Sequence, residues 1–253
     1  MSARQVENDT EIALETEEIS KYFGAVRAVD GLSLSIPRRG MTSVVGPNGS
    51  GKSTLVNLLS GTLPLDGGVV IIDGTGLRVV HAYETPAHGI TRTFQEVRLF
   101  DQISVMDNIL VVLTSRGVFP SLFERTRSEH REKARTILEN VGMWDKRDSL
   151  AMELSYGQRK LLEIGRAMAM DVRTYLFDEP SAGLFPQMLE RVKDIMKLMR
   201  EEGYTIIFIS HNMDIVREMS DHIFVLDSGT LLAEGEVEEV LNKPDVLEAY
   251  LGL

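Results

Sequence analysis

The sequence predicts an α/β fold, a mainly parallel sheet with helices packed on it. Three observations carry that reading. Short β-rich runs alternate with amphipathic stretches of helical period along most of the chain. A glycine-rich loop stands between one such run and one such stretch, in "VVGPNGSGKSTLVNLL". From about residue 100 to about residue 170 the chain carries helical period with little strand signal, which predicts an inserted helical part.

In chain order, the first residues, "MSARQVENDTE", are polar and acidic and read as a loosely tied tail. "IALETEEI", "LSLSI" and "TSVVG" follow as strands, with β-branched residues clustered or alternating between turn signals. "KSTLVNLLSG" reads as a helix stopped by Gly61, since glycine takes the left-handed conformation that ends a helix. "GGVVIIDG" reads as a further strand. In the middle stretch "SVMDNILVVL", "SEHREKARTILENVGM" and "YGQRKLLEIGRAMAM" all read as helices. "TYLFDE", "TIIFIS" and "HIFVLDSG" return to strand pattern. Between them, "PQMLERVKDIMKLMREEG" is helical, with Pro186 at its start and Gly203 after its end. There is no internal repeat and no low-complexity tract.

Composition narrows the function. The 253 residues are 43% hydrophobic and 26% charged, as in an ordinary globular protein. A net charge of −11 argues against general nucleic-acid binding, which rests on lysine and arginine neutralising phosphates. The chain has no cysteine, so disulfides, thiolate catalysis and cysteine-ligated zinc are excluded. Apolar runs such as "NILVVL" and "TIIFI" are too short to span a bilayer, and the N-terminus lacks the apolar segment of a signal peptide. Any link to a membrane is therefore expected to come through a partner.

The glycine-rich loop is Gly46-Pro47-Asn48-Gly49-Ser50-Gly51-Lys52-Ser53, with Thr54 next. Its spacing, G-x-x-x-x-G-K-S after a strand and opening a helix, is that of a phosphate-binding loop. The glycines let successive N–H groups turn inward around a phosphate chain, and the helix N-terminus adds partial positive charge. Lys52 can reach the outer phosphates and the Ser53 hydroxyl can ligate Mg2+. The apolar strand in "RTYLFDEPSAGL" then delivers Asp178 and Glu179, side by side, to its C-terminal end, where ligands sit in open α/β sheets. Asp178 suits Mg2+. Glu179 suits a general base on water, and strand alternation is expected to turn it away from Asp178. Gln95, after a short strand-like run, and His211, ending an apolar strand, could complete a shell around a terminal phosphate. Either could equally be structural. The pattern Ser155-Tyr156-Gly157-Gln158 opens a helix with a serine cap and a glycine, a competent anion site with no base or metal set of its own.

In order, the phosphate loop, Gln95, "LSYGQ", the Asp178-Glu179 pair, "SAGL" and His211 form a set. From about residue 12 to 253 the chain resembles the nucleotide-binding subunit of an ATP-binding cassette (ABC) transporter. The resemblance implies a P-loop NTPase core with an N-terminal antiparallel β subdomain. The tail is then residues 1–11 and one domain covers 12–253. Within that domain 12–95 and 171–253 form the α/β core and 96–170 the helical subdomain. ATP and Mg2+ are implied, with the loop amides and Lys52 on the β- and γ-phosphates. Ser53, Asp178 and Gln95 serve the metal or its water, Glu179 polarises water, and His211 senses the γ-phosphate. An aromatic stacks on adenine. Phe23 matches that position with Tyr22 as the fallback, and the competing expectation is that Phe23 is a core residue.

The resemblance further implies a head-to-tail pair of ATPase subunits, identical or homologous. In it Ser155, Gly157 and Gln158 reach the ATP held by the other subunit. Transmembrane permease subunits are expected to hold the chain at the cytoplasmic face of the inner or plasma membrane. Val97, Leu99, Phe100 and Ile103 suit a permease socket, or else bury the segment around Gln95. An extracytoplasmic solute-binding protein would complete an importer, and no nucleic acid is implied. "RTFQEVRLF", the helical insert and "NKPDVLEAYLG" are similar to ATPases of branched-chain amino acid importers, with amide or urea uptake and lipopolysaccharide export as alternatives. Two positions depart from the family's pattern, Tyr156 where a glycine is usual and Phe185 where an Asp or Asn is usual. A phosphotransferase or a soluble regulatory ATPase are the rival readings. A glutamate directly after the metal aspartate favours water as the acceptor, against the first.

Overall fold

The computed structural model describes residues 12–114 and 124–251, with the backbone alone for 124–127 and 251. The expected tail, residues 1–11, lies outside the described residues, as do residues 115–123 of the helical stretch.

Two sheets make the frame. Strands β1 (Ile12–Phe23), β2 (Val26–Pro37), β4 (Gly67–Ile72) and β5 (Thr75–Leu77) form a four-stranded antiparallel sheet in the order β2-β1-β4-β5. The second sheet has six strands in the order β10-β9-β3-β8-β7-β6. Its members are β3 (Met41–Val45), β6 (Ile90–Arg92), β7 (Thr174–Asp178), β8 (Thr205–Ile209), β9 (His222–Asp227) and β10 (Thr230–Gly235). Every pair is parallel except β9 with β10. The α/β class with a mainly parallel sheet is borne out, and so is the antiparallel β part.

The residues explain the layering. β3, β7 and β8 are buried at every position, as parallel strands covered on both faces must be, and they are mainly apolar with a few buried polar residues such as Ser43, Thr174 and Asp178. Alternate residues then serve two cores. Ile206 and Phe208 join one cluster, whereas Ile207 and Ile209 join the other. The second cluster is shared by the two sheets and α1 (Lys52–Leu59), whose Leu55, Leu58 and Leu59 are fully buried. The first is closed by α4 (Tyr156–Met168), α5 (Pro186–Glu201) and α6 (Met213–Met219).

Two further helices, α2 (Val105–Leu113) and α3 (Glu124–Asn140), pack on α4 through Ile109, Leu138 and Leu162. Helix stops fall where the sequence predicts them. Gly61 and Gly203 have φ of 66° and 86°, which an L side chain adopts only with strain. Pro186 occupies the first turn of α5. Helices α7 (Val237–Leu241) and α8 (Pro244–Leu251) end the chain. β10 had no clear signal in the sequence. It is a half-exposed edge strand, so its side chains carry no buried apolar run. Because β3, β6, β7 and β8 run parallel, their C-terminal ends share one edge of the sheet, and the residues just beyond them meet there.

Candidate functional site

The loop after β3 has its backbone fixed by close approach. A Cβ on Gly46 would lie 2.1 Å from the carbonyl oxygen of Leu226, so nothing larger than hydrogen fits there. Gly46, Gly49 and Gly51 have φ of 147°, 83° and 101°. Ser50 N–H donates to Pro47 O at 3.2 Å, and Gly229 N–H donates to Ser50 O at 3.1 Å, so the β9–β10 turn supports the loop from outside. Asn48, Gly49 and Ser53 are exposed, whereas Lys52 is buried. The Lys52 ammonium donates to Gly46 O, Pro47 O and Ser50 Oγ at 2.9, 2.8 and 3.3 Å. Burial pulls its pKa below the ordinary lysine range, and the Glu179 carboxylate opposes that fall. The loop thus wraps one cation in two of its own carbonyl oxygens and a serine hydroxyl.

Asp178 ends β7 with a side chain 6% exposed. Glu179 does not continue the strand. Its φ is 49°, a left-handed turn, so the chain bend rather than strand alternation separates its carboxylate from that of Asp178, which corrects the expected reason. Glu179 Oε1 lies 2.6 Å from His211 Nε2, which stands at the end of β8 just before α6. Asn212, the next residue, caps α6 by accepting from Asp214 N–H at 2.9 Å and so anchors the turn that holds the imidazole. Gln95 and Glu96 are exposed beyond β6. Of the residues expected at strand ends, Asp178, Glu179 and His211 therefore gather at one sheet edge with Lys52 of the phosphate loop, and Gln95 stands exposed three residues beyond β6.

The donors expected for a metal, the Ser53 hydroxyl, Asp178 carboxylate and Gln95 amide, are all oxygen and suit a hard cation. No group of three or more His, Cys, Asp or Glu side chains able to hold a metal occurs among the described residues. These donors fit Mg2+ that keeps waters and shares phosphate oxygens, not a metal caged by protein alone.

The "LSYGQ" stretch begins α4 as a reciprocal cap. Ser155 Oγ accepts from Gln158 N–H at 3.4 Å and Gln158 Oε1 accepts from Ser155 N–H at 3.0 Å. Ser155 is exposed and Gln158 half-buried, and the amides of Tyr156 and Gly157, in the first turn, lack partners within the helix. A Cβ on Gly157 would meet Met188 Cγ at 2.9 Å, and one on Gly183 would meet the Tyr156 ring at 3.3 Å. The Tyr156 ring therefore rests on "SAGL" of its own chain, 47% exposed. Phe185 is 82% exposed. Phe23 and Tyr22 are 49% and 42% exposed, which removes the reading of Phe23 as a core residue. Tyr22 hydroxyl is tied to Asp30 Oδ1 at 3.2 Å, whereas the Phe23 ring carries no such tie.

Four residues at this edge escaped sequence reasoning. Arg92, the last residue of β6, donates to Asp178 Oδ2 at 2.6 Å, Asn57 Oδ1 at 2.6 Å and Ser60 Oγ at 3.0 Å. Its signal was present, a cation inside a buried strand run. Lys160 and Glu163 of α4 hold both backbone groups of Phe94, the residue before Gln95. Lys160 Nζ donates to Phe94 O at 2.8 Å and Phe94 N–H donates to Glu163 Oε1 at 3.2 Å. Tyr250 of α8 sets its hydroxyl against the Gly46 backbone, and burial pushes that phenol up to about 12. A separate cavity of about 530 Å3 lies at the opposite ends of β6 and β7, between Asp73, His88 and Arg173, and includes none of these residues.

Comparison with known proteins bears on this geometry. A family model described as ABC transporter matches residues 29–182. Among curated proteins, the chain is 38% identical over 254 residues to a probable branched-chain amino acid transport ATP-binding protein, LivG, of Methanocaldococcus jannaschii, covering 96% of this chain and 99% of that one. It is 36% identical over 248 residues to the high-affinity branched-chain amino acid transport ATP-binding protein BraF of Pseudomonas aeruginosa, covering 94% and 97%. Among solved structures, a nucleotide-free ATP-binding cassette from an ABC transporter superposes with a TM-score of 0.84 at 36% identity, covering 96% of this chain and 100% of that one.

Proposed function

The chain belongs to the ABC transporter family as an ATP-binding subunit whose ATP hydrolysis drives transport, and from that premise we propose how its residues do so and what they serve. ATP lies along the loop from Gly46 to Thr54, its β- and γ-phosphates held by the amides and Lys52, its adenine on the exposed Phe23 ring. Ser53 and Asp178 would hold Mg2+, with Gln95 serving its water, and the ion would supply charge neutralisation at the phosphates. Glu179 takes the proton of the attacking water, which adds to the γ-phosphorus as the bond to the β–γ bridging oxygen breaks, giving ADP and phosphate. His211 holds Glu179 in place and reaches the γ-phosphate. Ser155, Gly157 and Gln158 close over the ATP of a second ATPase subunit.

The observation that carries this reading is the 2.6 Å contact between Glu179 and His211 beside the phosphate loop. A base needs an orienting partner, and a glutamate turned out of the strand by a positive φ has one here. The transported solute is a branched-chain amino acid, as the relatives' names suggest. The partners are permease subunits at the cytoplasmic face of the membrane and, outside it, a solute-binding protein. Replacing Glu179 by Gln tests the chemistry. ATP binding should persist while phosphate release falls roughly a hundredfold or more. Turnover near the wild-type rate would remove Glu179 as the base. Uptake of labelled leucine by cells with and without the gene tests the substrate, and unchanged uptake would exclude it.

A further inference from the structure

Lys52 and Arg92 are both cations buried at the sheet edge, but only Lys52 belongs to the phosphate loop. Arg92 stands outside it and holds the aspartate expected to serve the metal. Its Nη2 donates to Asp178 Oδ2 at 2.6 Å, and Asp178 has no other cation within ion-pair distance among the described residues. Nη1 of the same guanidinium donates to Asn57 Oδ1 at 2.6 Å and to Ser60 Oγ at 3.0 Å, both at the end of α1. The Ser60 hydroxyl donates in turn to Val56 O at 2.7 Å, so it is oriented to accept from Arg92. One side chain therefore links α1, whose first turn carries Ser53, to Asp178, and these two residues are the expected metal donors. Stability does not explain the arrangement. A buried ion pair is often no better than an apolar pair of the same volume. This one also leaves Arg92 Nε buried with no hydrogen-bond partner among the described residues, which is itself unfavourable. The needs of a metal carboxylate do explain it. Oδ2 is fixed by Arg92, whereas no described residue bonds Oδ1, which is left for an ion. Asp178 is 4% exposed, and a buried carboxylate needs a counter-charge whenever the ion is away. The same counter-charge then repels the ion when it is present.

We propose that Arg92 is the resident counter-ion of Asp178, a positioning residue that aims the carboxylate through Oδ2 and by its charge holds down the affinity for Mg2+, so that the ion leaves with ADP. The proposal rests on the reading of Asp178 as a metal ligand in an ATPase. Arg92 touches neither nucleotide nor ion in this role. It acts through Asp178, and its bonds to Asn57 and Ser60 fix the guanidinium against α1. Removing the charge while leaving a donor in place should therefore tighten metal binding. A damaged site would do the opposite.

The full-length chain, saturated with ADP, is titrated with Mn2+, and the free ion is read by electron paramagnetic resonance. Arg92→Gln keeps an amide donor beside Asp178 and removes the charge. It should bind Mn2+ roughly tenfold more tightly than the parent chain. A fluorescent ADP should leave this variant more slowly than the parent in Mg2+, and at the parent's rate in EDTA. Arg92→Lys keeps the charge and should show no gain. Asp178→Asn added to Arg92→Gln should erase the gain, because the effect runs through that carboxylate. Mn2+ affinity in Arg92→Gln equal to or weaker than the parent's overturns the proposal. An equal gain in Arg92→Lys overturns it as well, since shape rather than charge would then set the affinity. So does slow ADP release that persists in EDTA, where no ion takes part. A parent chain that takes up no Mn2+ with ADP would overturn the ATPase reading and this inference together. A parent that binds Mn2+ while Arg92→Gln gains nothing overturns the role of Arg92 alone.

Discussion

At the scale of single residues, the phosphate loop was legible because its chemistry requires particular residues at fixed spacing. Arg92 was not, because the meaning of a cation in a strand depends on which carboxylate the fold brings to it, and Asp178 is 86 positions away. Glu179 lies between these cases. Its place at the strand end was readable, but its direction depends on a φ of 49° that sequence pattern does not encode. The loop itself offers a contrast between two glycines. Alanine at Gly46 would force a Cβ to within 2.1 Å of Leu226 O, a strand backbone atom that cannot give way, so the loop must move. Alanine at Gly49 meets nothing within 4 Å and bears only the strain of φ 83°, about 1–2 kcal/mol. Gly46→Ala should therefore weaken ATP binding roughly tenfold or more, about 1.4 kcal/mol, with Gly49→Ala less affected. Calorimetric titration with ATP measures both, and equal losses would contradict the close-approach argument.

At the scale of elements, α4 does two things at once. Its first turn presents the Ser155–Gln158 cap to the outside, while Lys160 and Glu163, one turn later, grip Phe94 next to Gln95. Any rotation of α4 is therefore imposed directly on the Gln95 segment. Helical period in the sequence revealed α2, α3 and α4, but it counts apolar residues and so cannot reveal a buried ion pair. The Lys160 side chain is fully buried and that of Glu163 is 6% exposed. Lys160→Met should strand a buried carboxylate and the Phe94 carbonyl together, at a cost of about 3–5 kcal/mol. Urea unfolding would read this as a lower midpoint. Adding Glu163→Gln should recover part of the stability, while hydrogen exchange at Gln95 stays faster than in the parent chain because the Phe94 carbonyl is still unheld. Protection at Gln95 equal to the parent's would show that α4 does not hold this segment.

At the scale of the whole molecule, the parallel sheet was readable because strands buried on both faces are mainly apolar, whereas the edge strand β10 is half exposed and carries no apolar run, and the pairing of β1 with β4 depends on contacts far apart in sequence. One consequence of packing at the edge of this buried layer falls on His222, half-buried at the start of β9. Its ring packs edge-on to Phe224 at 4.8 Å, its Nε2 has no hydrogen-bond partner among the described residues, and burial lowers its pKa against an opposing pull from Glu234. The unfolded chain then takes up a proton at higher pH than the folded one does. Stability is full above the ordinary imidazole range and falls as pH drops through it, so His222→Phe should flatten that fall in chemical unfolding between about pH 7 and pH 5. A slope unchanged by the substitution would assign the loss to other groups. The outer face near "LSYGQ" carries the remaining argument. Phe185 is 82% exposed and the Tyr156 ring 47%, beside one another's segments through Gly183, and both stand open among the described residues. An exposed aromatic at the start of a helix, next to a cap that leaves helical amides without partners in the helix, fits a face closed by a second ATPase subunit. If Phe185 packs there, Phe185→Asp should leave ATP affinity of the isolated chain unchanged and alter the Hill coefficient of hydrolysis in the assembled transporter. Affinity and Hill coefficient are separable because Phe185 lies outside the phosphate loop. An unchanged Hill coefficient would mean that the ring is an ordinary exposed side chain and that the two ATP sites communicate by another route.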